Sequence, residues 1–501
     1  MTPTNESPRN RRCRPFAQTR ILALCFAVHS SFLVPTHAQT PTFQWAVKAG
    51  SVGGSGKGIA VDAAGNVYVT GHADDTGLLA AKFDGTGKHL WTKKAGGDST
   101  VIGSGIGVDS TGNIYVAGFL NNGTFATFDS ITLTTSSTYG FLVKLDNGEK
   151  VVWAIPVDGD GSAPDSAPSR LAVDAAGNSY VTGDFAGAVY YSFFVAKYDT
   201  SGQLLWVNPG DPGEGDDIGV DSSGNCYVGG TAGGTFLAKY DSAGNLIWNV
   251  PTMLASCCGG NSGVTLAVDA EGNSYVPSIV GSVPLGSTRI TKYDSTGNML
   301  WTSLSTNVLS GTPHDPFGIP KIAVDLMGNS YVTCDSYLCA KYDNAGNQLW
   351  VTNVARFPPS DVSEDVGYGI AVDGGGNSYV TGRFAGSANF GGAILSGGGV
   401  YVAKISGSPR LKIRLSGASV MVSWPASATG YGLESTTSLS PPNWQPAPES
   451  AVTNGTQIVV TAAINGVSRY FRLHKPRLGA SGHSSQATPP TVKGQSRMAL
   501  S

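Results

Sequence analysis

Charge is scarce in this 501-residue chain: Asp, Glu, Lys and Arg together make up 13% of it, and the formal net charge is -3. Such a balance exerts no general pull on polyanions, and no run of Lys and Arg follows residue 20, so no nucleic-acid partner is expected. The composition of a helical bundle is also missing, since that would need more Glu, Lys and Leu. Beyond residue 39 no apolar segment reaches the roughly 20 residues that span a bilayer, so the mature chain is expected to have no transmembrane anchor. Cysteine is sparse as well, seven in all. What abounds is glycine, 68 residues, which with so little charge favours many short strands joined by tight turns.

Residues 1–38 read as an export signal. Arg9, Arg11, Arg12 and Arg14 form a basic region, Ile21 to Val34 is largely apolar, and Thr36-His37-Ala38 ends in a small residue, so cleavage is expected after Ala38. His29, Ser30 and Ser31 interrupt the apolar run, which disfavours a membrane anchor. Cys25 follows Leu24, where a lipoprotein signal would carry Gly, Ala or Ser. Loss of Cys13 and Cys25 leaves five cysteines, too few for a disulfide framework in an oxidising compartment. Cys334 and Cys339 could cross-link a hairpin, and Cys257 and Cys258 are adjacent.

The dominant signal is repetition. VDAAGNVYV from Val61 returns as VDSTGNIYV from Val108, VDAAGNSYV from Val173, VDSSGNCYV from Val220, VDAEGNSYV from Val268, VDLMGNSYV from Val324 and VDGGGNSYV from Val372. Spacings of 47, 65, 47, 48, 56 and 48 residues suit propeller blades better than helical solenoids. A second motif follows each of the first six copies, for example AKFDGTGKHLW from Ala81 and AKYDSAGNLIW from Ala238, always with Trp seven residues after its Asp. Apolar runs between turn signals give four strands per unit, which predicts an all-β propeller blade. After Val372 the second motif fails: Ile405 and Ser406 stand where Tyr and Asp belong, and no Trp follows. Phe43-Gln44-Trp45-Ala46-Val47, a Trp strand with no preceding partner, is expected to complete that last blade and close the ring, leaving no edge to aggregate.

These stretches resemble the bacterial seven-bladed β-propeller repeat, with its Gly-Ile-Ala-Val-Asp-x-x-Gly-Asn-x-Tyr-Val-Thr-Gly core at Gly58 to Gly71 and Gly369 to Gly382, and at more distance NHL-type propellers. The resemblance runs over roughly residues 42 to 406. It implies a fold and an extracytoplasmic setting, and no shared catalytic residues.

Asp62 and its counterparts supply one carboxylate per motif, whereas calcium takes six to eight oxygens. The Asp is therefore read as accepting backbone N–H groups, with Gly65 in the positive-φ position. Gly148, two residues after Asp146, is read as a change of turn type in the second unit. The recurring lysines, Lys82, Lys144, Lys197, Lys239, Lys292, Lys341 and Lys404, are expected on a solvated face. Both kinds of Asp turn fall on one face of the disc, so the variable connections fall on the other, where recognition is expected. The candidate binding residues there are Phe119 and the excursion to Gly140, Phe384 and Phe390 within Arg383 to Gly399, and the acidic stretch containing Glu214, Asp216 and Asp217. Further acidic loops are Asp158-Gly159-Asp160 and Asp361 to Asp365.

Residues 410–475 alternate apolar and polar residues and predict a β-sandwich of six or seven strands, similar to a short C-terminal module of secreted bacterial proteins. Residues 476–501 are expected to be a disordered tail. The domain reading is thus a signal at 1–38, a seven-bladed propeller at 39–407, the sandwich at 410–475 and the tail. No catalytic, metal-ligating or cofactor-binding residue is assigned, and no cofactor is expected. A monomeric secreted or cell-surface scaffold for a protein or carbohydrate is preferred over an enzyme. The sharpest enzyme alternative is a quinoprotein dehydrogenase, because Ala81 to Trp91 resembles the tryptophan-docking repeat of that family and Cys257-Cys258 resembles its adjacent cysteine pair. His72 and His314 are isolated and His89 is read in a turn, so they make no metal constellation.

Overall fold

The computed structural model describes residues 41–50, 54–72, 78–121, 123–134, 139–157, 166–186, 191–252, 263–280, 287–305, 320–334, 337–352, 355–357, 366–406, 411–417, 419–425, 431–439, 442–454, 457–464, 468–474 and 498–500. The export signal, Cys257, Cys258, His314 and the acidic loops at 158–160 and 361–365 lie outside them.

Among the described residues, every element is a β-strand or a short connection, and seven four-stranded antiparallel sheets occupy 42–406. They are numbered 1 to 7 by their first strands: Ser55–Val61, Thr100–Val108, Ser166–Val173, Glu214–Val220, Ala267–Val268, Lys321–Val324 and Val366–Val372. In sheets 1 to 6 the four strands follow the chain. Sheet 7 takes its outer strand from Thr42–Lys48, which pairs antiparallel with Gly399–Ser406, Trp45 opposite Lys404. First strands of successive sheets lie side by side, and Ser55–Val61 touches both Thr100–Val108 and Val366–Val372. Buried side chains gather between consecutive sheets, as where Tyr68 and Ala80 of sheet 1 meet Ile106 and Val116 of sheet 2. Another such cluster joins Tyr379 and Val402 of sheet 7 to Val67 and Phe83 of sheet 1.

The Asp-x-x-Gly-Asn corner explains its own sequence. Asp62 Oδ1 accepts the backbone N–H groups of Ala64 (3.0 Å) and Asn66 (2.8 Å), while Oδ2 accepts the Asn66 side chain (2.8 Å) and the Tyr68 hydroxyl (3.0 Å). Gly65 sits at φ +83°, a conformation that side chains with a Cβ resist. Both carboxylate oxygens are thereby engaged within one hairpin, which is the structural reading of the motif. The Tyr six residues after each Asp is fully buried in all seven copies and donates its hydroxyl to that Asp.

The lysines overturn the expectation of a solvated face. Lys82, Lys144, Lys197, Lys239, Lys292 and Lys341 are buried, each with its ammonium 4.6 to 5.1 Å from the centre of a corner Tyr ring. Strand alternation alone would put them outside, but the face they occupy is covered by the next sheet. Across sheet 3, Tyr180, Lys197 and Trp206 stand in one row. Lys197 Nζ and Trp206 Nε1 both donate to Ser242 O, in the second turn of sheet 4, at 3.1 and 3.2 Å. Lys144 and Trp153 meet Thr200 O in the same way, as Lys239 and Trp248 meet Ser295 O. A desolvated ammonium over an aromatic face gains about 2 kcal/mol, which offsets part of its burial cost, and the carbonyl satisfies a donor. Trp45 makes the corresponding bond to Gly85 O of sheet 1. Trp350 does not: its Nε1 is buried without an acceptor, because sheet 7 has no second Asp turn to receive it.

The second turn of sheet 2 corrects another expectation. Asp146 N bonds Lys150 O and Glu149 N bonds Asp146 O, as Asp84, Lys88 and Gly87 do in sheet 1, so the turn type is retained. Glu149 stands in the glycine's place and is forced to φ +67°.

In the C-terminal part, Lys412–Ser416, Ser419–Pro425, Val452–Asn454 and Gln457–Ala463 form one four-stranded sheet. Gly432–Thr436, Gln445–Pro446, Arg469–His474 and Met498–Leu500 form another. Val422, Trp424 and Val460 of the first share a core with Leu433 and Phe471 of the second. Met498–Leu500 belongs to the stretch expected to be disordered, and it pairs with Arg469–Phe471. Its Met-Ala-Leu sequence departs from the polar composition of the rest of that tail. Among the described residues no helix is long and apolar enough to cross a membrane.

Candidate binding cavity

The candidate binding residues do not sit in free loops. Phe384 and Phe390 are each about 1% exposed. Phe390 packs against Phe43 and Tyr401, and Phe384 carries the Lys48 ammonium 5.8 Å from its ring centre. Their excursion is a hairpin, Ser387–Phe390 with Ala393–Ser396, in a three-stranded sheet with Ala355–Phe357. Phe119 is half-buried in the second strand of sheet 2, and the excursion after it forms another hairpin, Phe125–Phe128 with Ile131–Thr134. Large apolar side chains in long connections were read as recognition groups; Phe390 is instead buried in an added hairpin, and Phe119 and Phe384 belong to strands of sheets 2 and 7.

The acidic stretch is likewise strand. Glu214 is exposed at the start of the first strand of sheet 4, and Asp216 is the extra residue of a β-bulge between Gly215 and Asp217. Asp216 Oδ2 accepts Val264 N at 2.9 Å. Asp217 accepts Leu266 N on Oδ2 and Ile218 N on Oδ1, both at 3.0 Å. Both carboxylates therefore fasten sheet 4 to the segment leading into sheet 5.

Cys334 and Cys339 are both buried, and no disulfide joins them. Cys339 packs with Tyr331 and Trp350 towards sheet 7, whereas Cys334 packs with Val332 and Ala340 towards sheet 5. The two side chains leave opposite faces of sheet 6, and a disulfide cannot pass through a sheet.

Repeat-breaking residues converge elsewhere. Three places before each corner Val stand Gly58, Gly105, Arg170, Asp217, Thr265, Lys321 and Gly369, one on each first strand or the segment entering it. All but Thr265 line a cavity of about 170 Å³ to which six of the sheets and the segment entering sheet 5 contribute residues. The glycines are dictated by crowding: a Cβ on Gly105 would lie 2.7 Å from the Leu171 amide nitrogen, so the first strands approach too closely for a side chain there. Just beneath, Ile59, Ile106, Leu171, Leu266, Ile322 and Ile370 form an aliphatic collar.

Against that collar stand Lys57, Arg170, Asp217 and Lys321. Arg170 Nη1 is held by Ser104 O (3.1 Å) and Ser169 O (2.9 Å), with Nε 3.9 Å from Asp217 Oδ1. Burial, reinforced by Arg170, pulls Lys321 down to about 7, with Asp217 and Asp216 acting against the shift. Burial and then Arg170 also lower Lys57. Burial pushes Asp216 up to about 7, and Glu214 adds to the rise. Burial raises Asp217 too, although Arg170 opposes it. A pocket holding titratable groups displaced toward neutrality in opposite directions is the physical signature of a site. The sequence carried a signal for it, the residue before Ile-Ala-Val-Asp varying from Gly to Arg, Asp, Thr and Lys. Loop length does not reveal it, because these residues vary at a fixed place inside the repeat.

Comparison with known proteins bears on the fold alone. A family profile described as "Beta-propeller repeat" matches residues 90–118. The chain is a propeller-type repeat protein. Among solved structures, the propeller chain is similar to U3-55K at 11% identity and TM-score 0.48, over 73% of this chain and 99% of that one. It is similar to Chaetomium thermophilum Raptor at 11% identity and TM-score 0.47, over 74% and 30%. A protein of unknown function from Bacteroides caccae matches at 15% identity and TM-score 0.33, over 48% and 78%. No curated protein matches the chain in sequence.

Proposed function

We propose that this is an exported seven-bladed propeller, closed by the Thr42–Lys48 strand, that acts as a binding or scaffold module for a protein or carbohydrate. Closure is supported by the contact of the first strand of sheet 1 with those of both sheet 2 and sheet 7, and by the Trp45 bond to Gly85 O. Export is supported by the basic and apolar segments of residues 1–38, and the C-terminal pair of sheets is read as an attachment module.

One observation carries the binding reading: the repeated Asp, Tyr, Lys and Trp groups are consumed in holding sheets together, whereas the residues that differ between repeats meet at one cavity. Repeated residues that serve packing leave specificity to the divergent ones. Tryptophan docking, the basis of the quinoprotein likeness, is accounted for by this packing. The test is a glycan array and protein-binding screen with the purified exported chain, alongside its N-terminal sequence and absorbance spectrum. The expected results are an N-terminus at Gln39, a saturable ligand and no chromophore. A bound quinone, or retention of residues 1–38 in the cytoplasm, would overturn the reading.

A further inference from the structure

The cavity's chemistry specifies what it takes. We propose that it is a binding site for a small organic acid, its carboxylate held by Lys57, Arg170 and Lys321 and its hydrocarbon end resting on the aliphatic collar. The proposal rests on the propeller reading only in that the three cations come from sheets 1, 3 and 6 and must share one cavity.

Three observations lead there. First, the carboxylates of the cluster are already engaged by backbone donors: Asp217 by Ile218 N and Leu266 N, and Asp216 by Val264 N. Asp217 also faces Arg170, at 3.9 Å. Second, the ammonium groups of Lys57 and Lys321 have no hydrogen-bond or ion-pair partner within bonding distance among the described residues, although both line the cavity. Ammonium groups that line a cavity and lack acceptors among the described residues have up to three donors each open to a ligand, and an anionic oxygen satisfies them. Third, the floor carries Ile and Leu side chains beneath a lining that is mostly polar, so the cations stand beside an apolar surface. A fully hydrated inorganic anion gains nothing from that floor, whereas an alkyl carboxylate buries its chain there. About 170 Å³ is the room of five or six waters, at roughly 30 Å³ each, and suits an acid of about four or five carbons.

Ligand charge couples to protonation in this setting. A carboxylate favours the charged form of Lys321, and the groups facing it are Arg170, Asp217, Asp216 and Lys57, with Glu214 beyond them. Lys321 in the free protein loses its proton near neutrality because of burial and Arg170, so binding takes up a proton and weakens as pH rises.

The test uses butyrate as the probe, followed by calorimetry and ligand-observed NMR on the mature chain at low ionic strength, with acetate and inorganic phosphate as comparators. Expected are one saturable butyrate site, tighter than acetate and phosphate, and affinity falling several-fold from about pH 6 to about pH 8. Lys321→Met and, independently, Lys57→Met should each weaken binding about tenfold or more, while the exposed Lys88→Met leaves it unchanged. Two variants are used so that a failure of one to fold leaves the other decisive, with thermal melts reporting folding. Absent saturable butyrate binding, unchanged affinity in both folded variants, or a preference for phosphate overturns the proposal. A protein that still binds a glycan or protein partner after such a result keeps the module reading and loses only this site.

Discussion

Two positions on the same first strands behave in opposite ways. At the corner, Asp, Gly, Asn and the returning Tyr recur in all seven sheets because each atom of the Asp carboxylate has a fixed local task. Four residues before that Asp the side chain varies from nothing to a guanidinium, because there six of the seven copies face a common cavity rather than their own hairpin. The lesson is that constancy within a repeat marks the joints, and departures from it mark the place where the copies meet something other than each other.

Removing a joint tests that contrast most severely. Deleting Phe43–Val47 takes away the outer strand of sheet 7 and the Trp45 contact with sheet 1; cooperative unfolding should be lost or the melting temperature should fall by well over 10 °C, roughly what several kcal/mol produces. An unchanged melt would mean that closure does not depend on that strand. Asp373→Ala leaves the Tyr379 hydroxyl and two Asn377 donors without their acceptor, and about 2 to 3 kcal/mol of stability should disappear by denaturant titration.

Paired tryptophans sharpen the comparison further. Trp248→Phe breaks the bond to Ser295 O, whereas Trp350→Phe removes an indole N–H that has no acceptor. The first should therefore cost about 1 kcal/mol more than the second, readable as a difference of unfolding midpoints. Glu149→Gly should stabilise by about 1 kcal/mol, because it relieves a left-handed backbone at a joint that glycine occupies in the other five second turns. A destabilised Glu149→Gly would show that the side chain makes a contact worth more than its strain.

The effects that belong to the cavity depend on pH and have a definite sign. Asp216 carries a folded pKa above its unfolded one, so its contribution to stability is lost as pH rises from about 4 to about 7. Lys321 carries a folded pKa below its unfolded one, so stability returns as pH rises from about 7 to about 10. Thermal melts of Asp216→Asn should flatten the first slope and those of Lys321→Met the second. Unaltered slopes in both would mean that the cavity leaves these groups unperturbed.

How far each feature could be read depends on the range of the interactions behind it. The corner, its positive-φ glycine and the orphan Trp strand at residues 43–47 were legible because they are local or repeated. Phe384 and Phe390 were misread because apolar content in a long connection does not say whether a hairpin buries it. Cys334 and Cys339 were misread because sequence separation carries no information about which face of a sheet each leaves. The lysines looked solvated because alternation reveals two faces and is silent about what covers them.

By itself the sequence determined the strand count of each repeat, the two turn chemistries and the missing fourth strand after Val372, all set by hydrogen bonds within a few residues or by comparison among copies. The tertiary structure alone decided that Lys197 lies under a neighbouring sheet, that Asp217 is a fastening and that Lys57, Arg170 and Lys321 share a cavity. Those facts depend on groups 45 to 264 residues apart, and only packing of one sheet against the next brings such distances to a few ångströms.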